Sequence, residues 1–349
     1  MLLQNLIQSG LILSDYLLSE LQRYPEAETA YNQAIKLSPR ADLYNDRALI
    51  YYELQQGEKA EADLTQAIEI NPQYALAHLN RGYLYSEQGK PDLAITDFTK
   101  AIEINPESAL AYSNRGKIYS DRQEWQLALA DYNQAIALNL NLVLAYINRG
   151  YLYQQQQQWD KALADYEQAI SFNVPESALA YLNRGAIYVN QQQWNKALAD
   201  LDRALALNPN LPMAYFGRGA VHHKQENYAA AISEYKQALS LNRNFLYGIH
   251  NMGLIQYEMG DLDEARQQFQ QAIDIDSTFA ESQLALAVVL FAQGKTDRAL
   301  QLAQTALKLD KQYADIEFLE KNLWGKQLIA DAEQLLSNPR IQEFRAEKL

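Results

Sequence analysis

An alanine recurs along the chain every 33 to 35 residues, and this period constrains the fold more than any other feature of the sequence. A second alanine follows seven residues after it in every copy, with a large apolar residue between the two in all copies but the last. These offsets place the three residues on one stripe of an α-helix. The nine copies begin their stripes at Ala27, Ala60, Ala94, Ala128, Ala162, Ala197, Ala231, Ala265 and Ala299.

A second amphipathic pattern precedes each alanine stripe. In the central copies it reads aromatic, glycine, aromatic, as in Tyr146, Gly150 and Tyr153. A glycine inside a helix costs up to about 1 kcal/mol relative to alanine. Its retention therefore predicts that a neighbouring helix lies too close for a side chain. The repeated glycines are Gly82, Gly116, Gly150, Gly185, Gly219 and Gly253.

A 34-residue unit of two helices with these stripes, often ending in Asn-Pro, resembles the tetratricopeptide repeat (TPR). The resemblance covers about residues 8–313. It implies an all-α TPR solenoid, a right-handed α-α superhelix of antiparallel helix pairs whose first helices line the concave wall. We call the two helices of each unit the first helix and the second helix.

The period divides the chain into three parts. Residues 1–40 form a degenerate first repeat with an N-terminal capping helix, and residues 314–349 form C-terminal capping helices and a tail. We expect a helix break near Gly325 and a short exposed helix or frayed end after residue 338. Between these parts lie eight repeats, at 41–74, 75–108, 109–142, 143–177, 178–211, 212–245, 246–279 and 280–313.

Residues 1–22 are apolar, but no basic residue precedes the apolar run and no small-residue cleavage site follows it. Polar residues also interrupt the run too often for a bilayer span. We expect this segment to be a degenerate first helix that covers the open end of the stack. The alternative is contact with a membrane surface or with a second copy of the chain.

Six first helices carry arginine just before the glycine position, and each has an acid sixteen residues later. The other three repeats lack both members, so the two residues come and go together. We infer that they pair across the two helices of one repeat, as structural ion pairs rather than as a ligand site. The pairs are Arg47 with Asp63, Arg81 with Asp97, Arg115 with Asp131, Arg149 with Asp165, Arg184 with Asp200 and Arg218 with Glu234.

Composition and charge narrow the function. The formal net charge is −13, which disfavours a phosphate backbone as ligand, so we expect no nucleic acid and a neutral, basic or apolar peptide instead. Cysteine is absent, which fits a reducing compartment, and we expect a cytoplasmic protein. No motif for catalysis, a cofactor or a metal is found, and the Gly294–Thr296 stretch lacks the earlier glycine of a phosphate loop. We predict that the chain is not an enzyme.

The predicted binding surface is the concave wall. A row of amides lies two residues before the glycine position, at Asn80, Asn114, Asn148, Asn183 and Asn251. It resembles the asparagine ladder in the TPR region of the O-linked N-acetylglucosamine transferase; the alternative is that these asparagines serve only helix packing. Aromatic residues are predicted to flank the row, at Tyr83, Tyr151, Phe216, Tyr247, His250 and Tyr257.

These features predict a non-catalytic scaffold that holds an extended or helical peptide segment of a partner protein in its groove. The alternative function is an assembly factor or adaptor for a multiprotein or membrane complex, acting through residues 1–22. The lysines expected on the wall, Lys117 and Lys224, are too few for the carboxylate clamp of chaperone-binding TPR proteins.

Overall fold

The structure is a computed structural model that describes residues 24–348. Both interpretations of residues 1–22 fall outside the described residues. Twenty α-helices and one 3₁₀-helix, Lys311–Ala314, follow one another between residues 24 and 348, and no strand occurs in that range. The prediction of an all-α repeat fold is confirmed. The chain divides into two compact units, 1–172 and 173–349, which are described separately.

From residue 41 onward the N-terminal unit consists of stacked helix pairs, because each alanine stripe there faces the first helix of its own repeat. Ala94, Phe98 and Ala101 of one such stripe are fully buried. Each pair also contacts the pair that follows it. The helices are α1 (Tyr24–Leu37), α2 (Ala41–Glu53), α3 (Gly57–Ile70), α4 (Ala75–Glu87), α5 (Pro91–Ile104), α6 (Ala109–Asp121), α7 (Trp125–Leu138), α8 (Val143–Gln155) and α9 (Trp159–Ser171).

The C-terminal unit begins with four helix pairs of the same kind and ends with three further helices. The pairs are α10 (Ser177–Asn190) with α11 (Trp194–Leu207), α12 (Pro212–Lys224) with α13 (Tyr228–Leu241), α14 (Leu246–Glu258) with α15 (Leu262–Ile275), and α16 (Ala280–Ala292) with α17 (Thr296–Leu309). The final helices are α18 (Ile316–Lys321), α19 (Lys326–Leu336) and α20 (Pro339–Lys348).

The glycines of the first helices lie against an aromatic or leucine side chain of the second helix. A Cβ added to Gly150 would lie 2.7 Å from the Tyr166 ring, and one added to Gly82 would lie 2.8 Å from the Phe98 ring. Carbon atoms in contact prefer about 3.5–4.0 Å. The predicted close approach of the two helices is therefore confirmed.

The turn between the two helices of a repeat contains one residue in the left-handed region of backbone space. Three repeats have glycine there, with φ of 67°, 84° and 76° at Gly89, Gly260 and Gly294. Five others place a residue with a side chain at the same position, at Gln55, Gln123, Gln157, Gln192 and Glu226. A side chain in this conformation costs on the order of 1 kcal/mol, so these five turns are strained.

Residues 315–336, which we call the closing segment, fold back onto the first helices of the last two repeats. The predicted break near Gly325 is confirmed, because this residue separates α18 from α19. Helix α19 packs on α14 and α16 and buries Leu328 and Leu335 completely. The helix expected after residue 338 is α20; it is not wholly exposed, because Ile341 is buried and the helix contacts α17.

Candidate functional site

The arginine–acid pairs form as predicted, across the two helices of one repeat. In five pairs Nε and Nη2 of the arginine donate to the two carboxylate oxygens at 2.6–2.9 Å. The sixth, Arg218 with Glu234, is joined by one hydrogen bond. The Arg115 side chain is 16% exposed and that of Asp131 is 8% exposed. A bidentate geometry with so little exposure leaves no room for a ligand on the carboxylate.

Two further contacts of these arginines were not foreseen from the sequence. The Arg115 guanidinium lies 5.7 and 5.8 Å from the ring centres of Tyr112 and Tyr119. Its Nη1 donates to Thr99 Oγ1 at 3.0 Å, on the second helix of the preceding repeat. One arginine therefore joins three helices. The signal was present in the sequence, because a hydroxyl, amide or acid lies fifteen or sixteen residues before five of these arginines, at Asn32, Thr65, Thr99, Asn133 and Asp202.

His78 stands where its neighbours have tyrosine, and it joins one of these pairs. Its Nδ1 lies 3.1 Å from Asp97 Oδ1, while Arg81 binds the same carboxylate. Burial acts to raise the pKa of Asp97, but hydrogen bonds from His78 and Arg81 outweigh it and hold that pKa below its ordinary value. His78 is thus a buried residue that also makes a polar contact within the repeat.

The first helices α4, α6 and α8 contact one another and form a wall, which we call the N-terminal first-helix face. The predicted amides Asn80, Asn114 and Asn148 lie half-buried on it. Asn80 Nδ2 donates to Asn45 Oδ1 at 2.8 Å, whereas the other two side chains have no hydrogen-bond partner within the described chain. Two amides on this face therefore retain free donors and acceptors.

Apolar and aromatic side chains surround these amides in register. Tyr83 and Tyr151, both predicted for the site, are 43% and 46% exposed. A row that sequence reasoning missed lies four residues before each amide, hence on the same helix face, at Leu76, Leu110 and Leu144, which are 43%, 52% and 44% exposed. The signal was again the repeat itself, because an apolar residue precedes each asparagine at this offset.

In the C-terminal unit the predicted residues divide into accessible and inaccessible groups. Tyr247 is exposed, while Asn183 and Phe216 are half-buried; Phe216 and Tyr247 belong to one aromatic cluster with ring centres 6.2 Å apart. Leu179 and Met213 continue the exposed apolar row of this unit, at the same repeat position as Tyr247.

The remaining three predicted residues are buried, and the expectation that they line an open groove is corrected. Asn251 Nδ2 donates to Tyr235 Oη at 3.2 Å, and His250 Nδ1 lies 2.8 Å from Ser282 Oγ. The hydroxyl of Tyr257 donates to Asp331 of α19 at 2.7 Å. Neighbouring repeats and the closing segment cover these side chains, so none of the three can touch a ligand in this structure.

One buried group in the C-terminal unit has a strongly shifted pKa. Burial, followed by the nearby charges of Lys224 and His250, lowers the pKa of His223 to about 4. Its ring is 5% exposed, and Nδ1 has no partner within the described residues. His223 is thus neutral in the folded chain near neutral pH.

Between residues 24 and 348, no group of three or more histidine, aspartate or glutamate side chains is arranged to hold a metal ion. No helix in the same range is long and apolar enough to cross a membrane.

Comparison with known families decides the identity of the repeat. Profiles described as tetratricopeptide repeat match residues 13–40, 75–108, 143–173 and 185–245. A further profile, described as TPR repeat, matches residues 48–89, 116–157 and 253–294. The chain belongs to the tetratricopeptide repeat family. TPR folds generally serve as scaffolds that bind protein or peptide partners.

Three solved structures resemble this one in fold. The Cut9–Hcn1 heterotetramer of the APC/C has a TM-score of 0.63 at 17% identity; the match covers 90% of this chain but only 59% of that one. A tetratricopeptide repeat protein from Parabacteroides merdae scores 0.54 at 20% identity, with 76% and 99% covered. The human IFIT1 dimer with m7Gppp-AAAA scores 0.58 at 16% identity, with 95% and 88% covered.

Proposed function

We propose that this TPR protein is a non-catalytic scaffold whose first helices hold an extended or helical segment of a partner protein. The observation that carries the proposal is the N-terminal first-helix face, where exposed leucines and half-buried amides recur in register on all three helices and an exposed tyrosine lies beside them on α4 and α8. Contiguous apolar side chains beside polar groups are typical of interaction surfaces.

The chemistry of this face supports a peptide as the ligand. The amides of Asn114 and Asn148 can each donate to a carbonyl and accept from an N–H, which suits a peptide backbone of any sequence. Because one hydrogen bond contributes only about 1 kcal/mol net, most of the affinity must come from covering the leucines and tyrosines. The ligand is therefore expected to carry apolar side chains spaced to meet that row.

Charge argues against the ligand class seen in one of the neighbours. The IFIT1 structure contains m7Gppp-AAAA, but 16% identity supports a shared fold alone. The present chain has a formal net charge of −13, so phosphate groups would be repelled at most of its surface. A neutral, basic or apolar protein segment fits this surface better than RNA does.

A pair of matched double variants tests the proposal. Leu110→Ser with Leu144→Ser removes two leucines of the first-helix row, which are 52% and 44% exposed. Leu93→Ser with Leu127→Ser removes two leucines of the second helices, each 49% exposed. Both variants lose similar exposed apolar area, so they should be similarly folded by circular dichroism. Wild type and both variants are used to capture partners from native lysate, with quantitation by mass spectrometry.

We expect at least one protein to be captured by wild type and by the second-helix variant but lost, by about tenfold or more, from the first-helix variant. A further variant, Asn114→Ala with Asn148→Ala, should weaken capture of the same protein by a smaller factor because only hydrogen bonds are removed. If the two leucine variants capture the same proteins equally, the face is not the binding surface and the proposal fails.

A further inference from the structure

The closing segment lies against the ends of repeats 7 and 8 of the C-terminal unit and forms one side of a hollow there. The hollow has a volume of 330 Å³. Helices α12, α13 and α14 form its walls, and Trp324, Gly325 and Lys326 of the closing segment form its cover. The first turn of α19 is held there by a single carboxylate: Glu258 accepts from the backbone N–H of Leu328 at 2.9 Å and of Gln327 at 3.2 Å.

These contacts show how the end of a first helix in this chain binds the start of another helix. A carboxylate at the end of a first helix binds the free N–H groups at the start of the incoming helix, where the helix dipole favours negative charge. The indole of Trp324 is 4% exposed, and its Nε1 donates to Glu281 at 3.0 Å. Lys326 lies 3.5 Å from Glu226 on the rim.

The N-terminal unit has the corresponding hollow, between repeats 2 and 3, with a volume of 490 Å³. Five residues that line it occupy the same repeat positions as residues that line the hollow between repeats 7 and 8. They correspond as Tyr52 to His223, Glu53 to Lys224, Gln55 to Glu226, Gly57 to Tyr228 and Glu87 to Glu258. No residue of the described chain covers this hollow as the closing segment covers its counterpart.

The space in this hollow has a specific cause in the sequence. The position that opens the second helix is Gly57 in repeat 2, whereas the following repeats have Pro91, Trp125, Trp159, Trp194 and Tyr228 there. A side chain at this position would point into the hollow, since a Cβ on Gly57 meets Gln88 and Leu84 of the wall at 3.5 and 4.0 Å. Glycine thus leaves open a space that the other repeats fill.

The charge of the hollow selects its occupant. Its lining residues include the exposed carboxylates of Glu53 and Glu87, and no basic side chain of the described chain lines it. In the C-terminal counterpart the position of Glu53 is held by Lys224. The N-terminal hollow is therefore the more acidic of the two and favours positive charge. Tyr52 and Tyr83 lie beside it with ring centres 5.7 Å apart, which provides an aromatic wall.

We propose that the hollow between repeats 2 and 3 receives the first turn of a helix from a partner protein, with a basic side chain in that turn and an aromatic side chain immediately before it. Glu87 binds the N–H groups of the incoming turn, as Glu258 does for α19. The aromatic side chain fills the space above Gly57. This inference rests on the proposed function, because it specifies the chemistry of a partner segment that meets the first helices.

The test uses a labelled peptide with the sequence of residues 315–337 in which the five acidic residues are replaced by their amides, so that it keeps Trp324 and Lys326 and carries the positive charge that the hollow favours. Fluorescence anisotropy measures its binding to the full chain. Gly57→Trp fills the hollow with the side chain that three other repeats carry there, so the variant is expected to fold. Gly57→Ala is its matched control, and Glu87→Gln removes the charge that faces the helix start.

We expect saturable binding that Gly57→Trp weakens tenfold or more, that Gly57→Ala changes less than twofold, and that Glu87→Gln weakens about fivefold. A peptide in which Trp324 is alanine and Lys326 is glutamate should bind at least tenfold more weakly. Glu258→Gln weakens the contact of the chain's own closing segment in the C-terminal unit, where the peptide could bind instead. If the peptide binds at Gly57, the loss of affinity caused by Gly57→Trp should be the same with and without Glu258→Gln.

The proposal is overturned if the peptide shows no saturable binding, or if Gly57→Trp binds it as wild type does. Either result can be told apart from failure of the proposed function. Partner capture that depends on Leu110 and Leu144 but not on Gly57 would leave the first-helix face as the binding surface and remove only the hollow.

Discussion

The pairing of Arg115 with Asp131 gives the sharpest test of how the repeats are held together. Repeat 9 has Leu286 and Leu302 at the two equivalent positions, in a packed apolar environment. The chain itself thus supplies a replacement for the ion pair. We consider three variants: Arg115→Leu, Asp131→Leu and the two together.

Removing one partner of a buried ion pair costs about 3–5 kcal/mol, because the other charge is left buried and unpaired. The Arg115 side chain is 16% exposed, so we expect the lower end, about 3 kcal/mol, for each single variant. Replacing both partners by apolar residues is close to neutral in such sites. The double variant still loses the bond to Thr99, worth about 1 kcal/mol, so we expect it to lose only about 1–2 kcal/mol.

Repeat stacks need not unfold in one step, so the measurement must be local. Amide hydrogen exchange in α6 and α7 reports the opening free energy of this repeat, and urea unfolding followed by circular dichroism gives the global value. Glu103→Leu serves as a control, since its pair with Lys100 is exposed and should contribute less than about 1 kcal/mol. If the double variant loses the sum of the two single losses, about 6 kcal/mol, the two residues do not act as a pair and the reasoning is refuted.

Three further predictions follow from single positions. Gln192→Gly should raise the unfolding free energy by about 0.5–1 kcal/mol because it relieves a left-handed residue, whereas Gln191→Gly next to it, at φ −85°, should not; urea unfolding compares them. The pKa of His223 is lowered to about 4 in the folded chain, so as pH falls the unfolded chain takes up a proton on this residue before the folded chain does. The unfolding free energy should therefore decrease as pH falls below about 6.5. The unfolding free energy at pH 5 should be about 2 kcal/mol lower than at pH 7.5. His223→Val, which introduces the residue found at this position in repeat 6, should make that difference smaller; a difference that does not change would show that His223 is not its source. Gly150→Ala should cost about 1–3 kcal/mol, because its methyl group would lie 2.7 Å from the facing tyrosine ring; an unchanged midpoint of thermal unfolding would contradict the close approach.

The ion pairs could be predicted because nine copies in one chain act as their own comparison. Repeats that lack the arginine also lack the acid, and this joint loss indicates contact without any structural information. The sequence also contains the leucine row and the third contact of five arginines as recurring offsets. The leucines lie four residues before the asparagines, and the contact residues lie fifteen or sixteen residues before the arginines.

Burial of Tyr257 could not be predicted in this way. Its exposure depends on residues outside the repeating pattern, since α19 follows the last repeat and has no equivalent elsewhere in the sequence. A repeat pattern specifies which side of a helix faces its neighbours in the stack. It does not specify which non-repeating segment will lie on the remaining side. The burial of His250, by contrast, follows the repeat, because Leu79, Ser113 and Ile147 are buried at the same position of their first helices.

First-helix residues therefore fall into two groups: those covered by the closing segment and those exposed to solvent. Where α19 packs on α14 and α16, as at Tyr257, first-helix residues are covered by the chain's own helix, and substitutions there should change stability before they change binding. On α4, α6 and α8 the equivalent positions hold exposed leucines and unpartnered amides, so substitutions there should change binding with little effect on stability. Leu284 is a covered residue of α16 and Leu110 an exposed residue of α6, three residues apart in the repeat register, and unfolding measurements on Leu284→Ser and Leu110→Ser compare the two kinds of position. Because Leu284 is fully buried, its loss should cost about 2–5 kcal/mol, against about 0.5 kcal/mol or less for Leu110; equal losses would mean that Leu110 is also part of a packed core.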